Sequence, residues 1–158
     1  MAKQTNATRR PAAVPAEQEI RFWMRAPAVV VNLAAPVSEA LALMRAHNVR
    51  RLPVVFDTGE LRGIITQGDI RGADLLRVAG MDPFDIADAL RRVKVYEVMT
   101  EHPITVTPET GLREAAELMI ENKIGGLPVV DEHGMVVGII TESDLFEALV
   151  QQLENAEG

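Results

Sequence analysis

Thr66 and Asp69 stand three residues apart directly after Gly63-Ile64-Ile65, and Thr141 and Asp144 repeat that spacing directly after Gly138-Ile139-Ile140. A β-rich run that ends in threonine and passes into a helical pattern puts the threonine at a helix start. There Thr-x-x-Asp makes a capping box, in which the hydroxyl accepts a helix N–H and the carboxylate accepts the threonine's own N–H. The same corner supports a second chemistry. Free N–H groups at a helix start attract phosphate oxygens, the threonine adds a hydroxyl, and an ionised aspartate accepts hydrogen bonds from the paired hydroxyls of a ribose. A bare anion is repelled by that carboxylate, so the corner suits a nucleoside phosphate rather than free phosphate. Capping alone leaves the repeated Gly-Ile-Ile unexplained.

The elements that must position these corners are themselves repeated. Sliding the chain by 75 residues aligns 28–70 with 103–145 without a gap, and fifteen of the forty-three positions are identical, among them Leu52-Pro-Val-Val55 and Leu127-Pro-Val-Val130. Two copies form a pair that packs face to face; a solenoid needs about three or more. Each copy opens on a short β-rich run, 29–32 or 104–107. A helix follows, with Pro36 in its first turn in one copy and Thr110 as its N-cap in the other. Val37, Ala40, Leu41 and Met44, and likewise Leu112, Ala115, Ala116 and Met119, recur at i, i+3, i+4 and i+7 and form one apolar face. Leu-Pro-Val-Val, a turn through 57–60 or 131–134, and a second β-rich run then make a hairpin. The final helix carries Ile70, Leu75, Leu76 and Val78, or Leu145, Phe146, Leu149 and Val150. The fold class is therefore α/β (α+β), β-α-β-β-α in each copy, a small sheet packed on helices. Gly80 as a C-cap, Asp82 as an N-cap and a helix to about Arg92, packed through Phe84, Ile86, Ala87 and Leu90, fill the connector.

Composition narrows the function. A chain of 158 residues, 47% hydrophobic, buries a real core. It has no apolar run of membrane-spanning length and no secretory segment in its first twenty residues, so a cytoplasmic protein is expected. With no cysteine there is no disulfide, thiol nucleophile or thiolate metal site. A net charge of −7 opposes attraction to nucleic acid. His47, His102 and His133 have no metal-ligand spacing. Lys3, Arg9 and Arg10 make residues 1–18 a basic tail, expected to be mobile.

Both copies resemble CBS (cystathionine β-synthase) domains. The stretch "VMTEHPITVTPETGLREAAELMIENKIGGLPVVDEHGMVVGIITESDLFEALV" at 98–150 carries the family's MT..P.TV opening, its A..LM helix, LPVVD and G-I-I-T-x-x-D. The first copy is similar from Trp23 to Leu76, with "WMRAPAVVV" as a divergent opening. The resemblance implies a free-standing tandem pair, a Bateman module, divided into a tail (1–18), a first repeat (19–78), a helical connector (79–94), a second repeat (95–153) and a C-terminal tail (154–158). It also implies pseudo-twofold symmetry and two clefts that bind adenosine-containing ligands such as AMP, ADP, ATP or S-adenosylmethionine, without catalysis.

Carried over to this chain, Asp69 and Asp144 hold ribose hydroxyls, and Thr66 and Thr141 contact ribose or the first phosphate, with Gly68 and Ser143 inside the same turns. Val29, Ile104, Val49 and Ile124 flank the adenine. Thr100 is a further contact, from which its counterpart Arg25 departs. Arg50 and Arg51 match positions that carry phosphate-binding basic residues; Gly125 and Gly126 are their uncharged counterparts. The two sites are thus expected to be unequal, with the cleft that the arginines face left open. The expected function is a regulatory module that senses a ligand by conformational change, as a homodimer acting on a separate protein. A ligand-independent dimerisation module with vestigial sites is the alternative.

Overall fold

The computed structural model describes residues 15–71 and 83–158. The first repeat runs β1 (Val31–Asn32), α1 (Val37–His47), β2 (Arg51–Val55), β3 (Leu61–Thr66) and α2 (Gln67–Arg71). After α3 (Pro83–Arg92), the single turn α4 (Val95–Val98) and β4 (Thr100–Glu101), the second repeat supplies α5 (Leu112–Asn122), β5 (Gly126–Val130), β6 (Val136–Thr141) and α6 (Glu142–Glu157). Small sheets pack on helices, as the sequence pattern requires. The opening runs are shorter than expected: only Val31–Asn32 pairs with β2, and in the second copy Val106 alone bridges Val129.

Each hairpin is antiparallel, with a register shift after Val54 or Val129. Gly59 (φ 89°) and Gly134 (φ 77°) turn them, a backbone conformation that side chains disfavour. On α1 the residues Val37, Ala40 and Met44 are buried, and on α5 Ala115 and Met119. Two helix starts differ from expectation by one residue. Pro36 is the N-cap of α1, not part of its first turn. Gly111 caps α5, because the Thr110 hydroxyl is engaged one turn earlier, accepting the Thr107 N–H at 3.1 Å.

Two cores result, one per repeat, and each is completed by the other repeat's opening. Fully buried Ile20 lies in the core of Val106, Met119, Leu127 and Ile140, while fully buried Val95 lies in the core of Val31, Met44, Leu52 and Ile65. Backbone bonds fix the exchange symmetrically: Ile20 N–H donates to Thr110 O (2.8 Å) and Val95 N–H to Ala35 O (2.9 Å). Arg25 then bridges Ile139 on β6, and Thr100 pairs with Ile64 on β3.

The exchange explains the glycine that precedes Ile-Ile-Thr in both copies. A Cβ on Gly63 would lie 2.7 Å from the Thr100 carbonyl oxygen, and one on Gly138 would lie 2.8 Å from that of Arg25. Gly-Ile-Ile is therefore the crossing point of two backbones, and the cap that follows it is a separate device.

Helix α3 packs on the first core through Ala89 and half-buried Leu90, with Val93 following just beyond its end. Ile86 and Ala87 are exposed, contrary to expectation: Ala87 lies off the 89–90–93 side that meets α1, and Ile86 is on that side but one turn nearer the helix start. Leu75, Leu76, Val78, Gly80 and Asp82 lie outside the described residues. Among those described, no helix is long and apolar enough to cross a membrane.

Candidate functional site

Both Thr-x-x-Asp corners are capping boxes. The Thr66 N–H donates to Asp69 Oδ2 at 2.7 Å and the Asp69 N–H donates to Thr66 Oγ1 at 3.1 Å. In the second copy the Thr141 N–H donates to Asp144 Oδ2 at 2.8 Å, with the reciprocal bond to the Thr141 side chain also made. Capping and ligand binding are compatible here. On each aspartate the threonine N–H is accepted by Oδ2 of a half-buried carboxylate, and an ionised carboxylate accepts up to about four hydrogen bonds across its two oxygens.

Beside each corner lies a cleft whose far wall is the other repeat. The Thr141 cleft, about 410 Å³, sets Thr141, Ser143 and Asp144 against Val49, Arg50 and Arg51. The Thr66 cleft, about 340 Å³, sets Thr66 and Gly68 against Ile124 and Gly125. The hairpins make this arrangement. Arg51 pairs with Thr66 across β2–β3, and Gly126 pairs with Thr141 across β5–β6, so the loop before each Leu-Pro run stands beside a corner. Since β2 and β6 also touch, each loop faces the other copy's cleft as well as its own.

Of the residues proposed from sequence, ten line one cleft or both: Val49, Arg50, Arg51, Thr66, Gly68, Ile124, Gly125, Thr141, Ser143 and Asp144. The other four stand elsewhere. Asp69 caps the helix at the edge of the Thr66 cleft, and Thr100 pairs on β3 behind it. Val29 packs against the first core, and Ile104 is exposed. Sequence reasoning missed Arg25, Glu142 and Glu147 in the Thr141 cleft and Gln67 and Lys123 in the Thr66 cleft as lining residues. The exchanged opening brings Arg25 there, since its bridge to Ile139 sets it beside β6.

The clefts differ in charge. The Thr141 cleft balances Arg25, Arg50 and Arg51 against Glu142, Asp144 and Glu147. The Thr66 cleft is lined by Arg50, Arg51 and Lys123 with no acidic residue on its lining, Asp69 standing at its edge. Both arginines therefore border both clefts, which settles the orientation that the sequence leaves open. Burial is the largest influence on Arg51 and holds its pKa below the ordinary arginine value. Glu142 opposes that shift, Arg50 adds to it, and Asp69 opposes it. Lys123 holds a left-handed backbone (φ 53°) at the end of α5, as Asn48 (φ 52°) does at the end of α1. Asparagine tolerates that conformation far better than lysine. His47, His102 and His133 are all exposed and line neither cleft.

Known proteins share this pattern. The CBS domain profile matches residues 16–76 and 95–151. A CBS domain-containing protein of Dictyostelium discoideum is 38% identical over 130 residues, covering 78% of this chain and 86% of that one. The CBS-pair protein CBSX2 of Arabidopsis thaliana has a TM-score of 0.71 at 28% identity, with 86% of this chain and 96% of that chain covered. CBSX2 has also been solved in complex with AMP. The CBS domain pair of protein MJ0100, solved with 5′-methylthioadenosine and S-adenosyl-L-methionine, gives a TM-score of 0.69 at 28% identity, covering 85% of this chain and 97% of that one. With both repeats matched, the chain belongs to the CBS domain family as a tandem pair.

Proposed function

We propose that this pair is a regulatory module that binds adenosine-containing ligands, from the group AMP, ADP, ATP and S-adenosylmethionine, in the clefts between its repeats. The observation that carries the reading is the pairing of each Thr-x-x-Asp corner with a loop of the opposite repeat across a cleft of about 410 or 340 Å³. That volume falls within the range of small-molecule sites. AMP bound to CBSX2, and 5′-methylthioadenosine with S-adenosylmethionine bound to MJ0100, support the ligand class. The charge difference divides the clefts: the Thr66 cleft suits a nucleoside phosphate, the Thr141 cleft a less anionic adenosyl group. Because each cleft is walled by both repeats, a ligand that fits one relative packing better than another shifts the pair toward that packing. That differential affinity is the signal. We assign no reaction to the clefts.

A thermal-shift panel of AMP, ADP, ATP and S-adenosylmethionine tests the reading, with Asp69→Ala and Asp144→Ala measured separately. Saturable stabilisation that each substitution abolishes in its own cleft is expected. A melting temperature indifferent to every ligand refutes it.

The second reading, a module for assembly, draws on the α5–α6 face of the second repeat. Ile120 is 76% exposed, Phe146 63% and Leu149 51%, side by side around an apolar groove of about 480 Å³. The counterparts of Ile120 and Phe146 in the first repeat are Arg45 and Arg71. A homodimer through this face is compatible with sensing, and we include it in the proposal, in a cytoplasmic protein that acts on a separate partner.

A further inference from the structure

Arg51 and Gly126 hold equivalent positions in the two repeats, 75 residues apart, and they meet where the repeats face each other. Only one of them carries a side chain, and it occupies the space beside the other. A Cβ on Gly126 would lie 2.6 Å from Arg51 Cδ and 3.1 Å from its Nε, and one on Gly125 would lie 2.7 Å from Nη2. Real Cβ atoms do not approach so closely, so a side chain at 125 or 126 would push the Arg51 guanidinium off this position. One guanidinium lies across the bare backbone of Gly125 and Gly126, where it borders the Thr141 cleft on one side and the Thr66 cleft on the other. It also feels acids of both sides, Glu142 from the first and Asp69 from the second.

We infer that Arg51 is a single phosphate-binding group shared by the two clefts, so that a phosphate held in one denies it to the other. The inference rests on the nucleotide reading above and deepens it. A guanidinium binds phosphate through two parallel N–H bonds from one planar fork, and one fork cannot face two phosphates on opposite sides. Two phosphate-bearing ligands therefore bind with negative coupling, while one nucleoside phosphate beside one phosphate-free adenosyl ligand binds without it. The pair is built for a mixed occupancy, and Arg51 sets which combination is favoured.

The test is calorimetric titration of AMP, and separately of adenosine, into the wild-type chain and three variants. Asp144→Ala leaves the Thr66 cleft to act alone, Asp69→Ala leaves the Thr141 cleft alone, and Arg51→Gln removes the shared group. Circular dichroism melts establish that each variant is folded. In the wild type the second AMP should bind about tenfold to a hundredfold more weakly than AMP binds the weaker cleft alone, the worth of a hydrogen bond to a charged group. Adenosine should show no such gap, and Arg51→Gln should remove the gap for AMP. If the wild-type AMP isotherm is reproduced by the two single-cleft affinities, or if the gap persists in Arg51→Gln, the sharing is overturned while the nucleotide reading stands. Absence of AMP binding in all four proteins overturns the sharing, and the nucleotide reading falls with it only if the thermal-shift panel is also indifferent to ADP, ATP and S-adenosylmethionine.

Discussion

Two glycines of the first repeat's motif, Gly63 and Gly68, should respond to alanine with opposite signs. A Cβ on Gly63 would meet the Thr100 carbonyl oxygen at 2.7 Å and Met99 Sδ at 2.8 Å, and Gly138 meets the corresponding Arg25 oxygen and Met24 Sδ at 2.8 Å each. The methionines can swing away; a backbone carbonyl moves only with its strand. Overpacking of this kind costs about 1–3 kcal/mol. Displacing the opening weakens its hydrogen bonds too. For Gly138 these are the reciprocal bonds between Arg25 and Ile139, both 3.0 Å, worth about 1 kcal/mol each. We expect Gly63→Ala and Gly138→Ala each to lose about 2–4 kcal/mol, a fall in Tm of roughly 4–16 °C for a chain of this size.

Gly68, by contrast, lies within α2, is exposed, and would bring its Cβ no closer than 3.5 Å to Thr66 Oγ1, an ordinary contact. Its counterpart Ser143 already carries a side chain. Gly68→Ala should therefore stabilise by about 0.5–1 kcal/mol. Urea denaturation of the three variants, with m-values compared, provides the assay. If Gly138→Ala is neutral, or if Gly68→Ala costs as much as Gly63→Ala, the backbone-crossing explanation of the repeated glycine is wrong.

Further outcomes follow from the same geometry. Asp69→Ala and Asp144→Ala should each lose about 0.5–2 kcal/mol from the lost cap even without ligand, visible as a lower urea midpoint. Asp→Asn variants, which keep an acceptor oxygen, should lose less. Arg51→Met should leave the melting temperature unchanged or raise it, because it removes a charge whose burial is unfavourable. AMP affinity should nevertheless fall, and a sharp loss of stability in that variant would contradict the cleft assignment. Lys123→Asn should relieve the left-handed strain, raising stability by up to about 1 kcal/mol. It should weaken nucleoside phosphates in the Thr66 cleft but leave adenosine unaffected, as titration would show. Phe146→Glu should yield a monomer by sedimentation with an unchanged thermal midpoint at high dilution; a persistent dimer would place the interface elsewhere.

Much of this was legible in the chain because it is local. The 75-residue register, the apolar faces of α1 and α5, the two hairpins and both capping boxes depend on residues a few positions apart, where periodicity and turn chemistry operate. The exchange of openings was not legible. Ile20 and Val95 look like ordinary apolar residues at the head of their own repeats, and no propensity tells which of two similar cores each will fill. The reason for Gly63 and Gly138 was hidden for the same cause, since the atoms that exclude a side chain there belong to Thr100 and Arg25. Arg50 and Arg51 stand out in the sequence as the charged difference between copies. That both border both clefts required the spatial meeting of 51 with 125 and 126.

The interlocked cores also bear on how such a chain could arise and come apart. Cut between its halves, each fragment would retain an opening segment that fits the other fragment and would lack the one that fits itself. A single-copy ancestor built this way would have been obliged to fold as two molecules embracing. Joining them in one polypeptide replaces an encounter in solution with an internal one at millimolar effective concentration. In one polypeptide the two positions at the meeting point need not be identical, and here one is arginine and the other glycine.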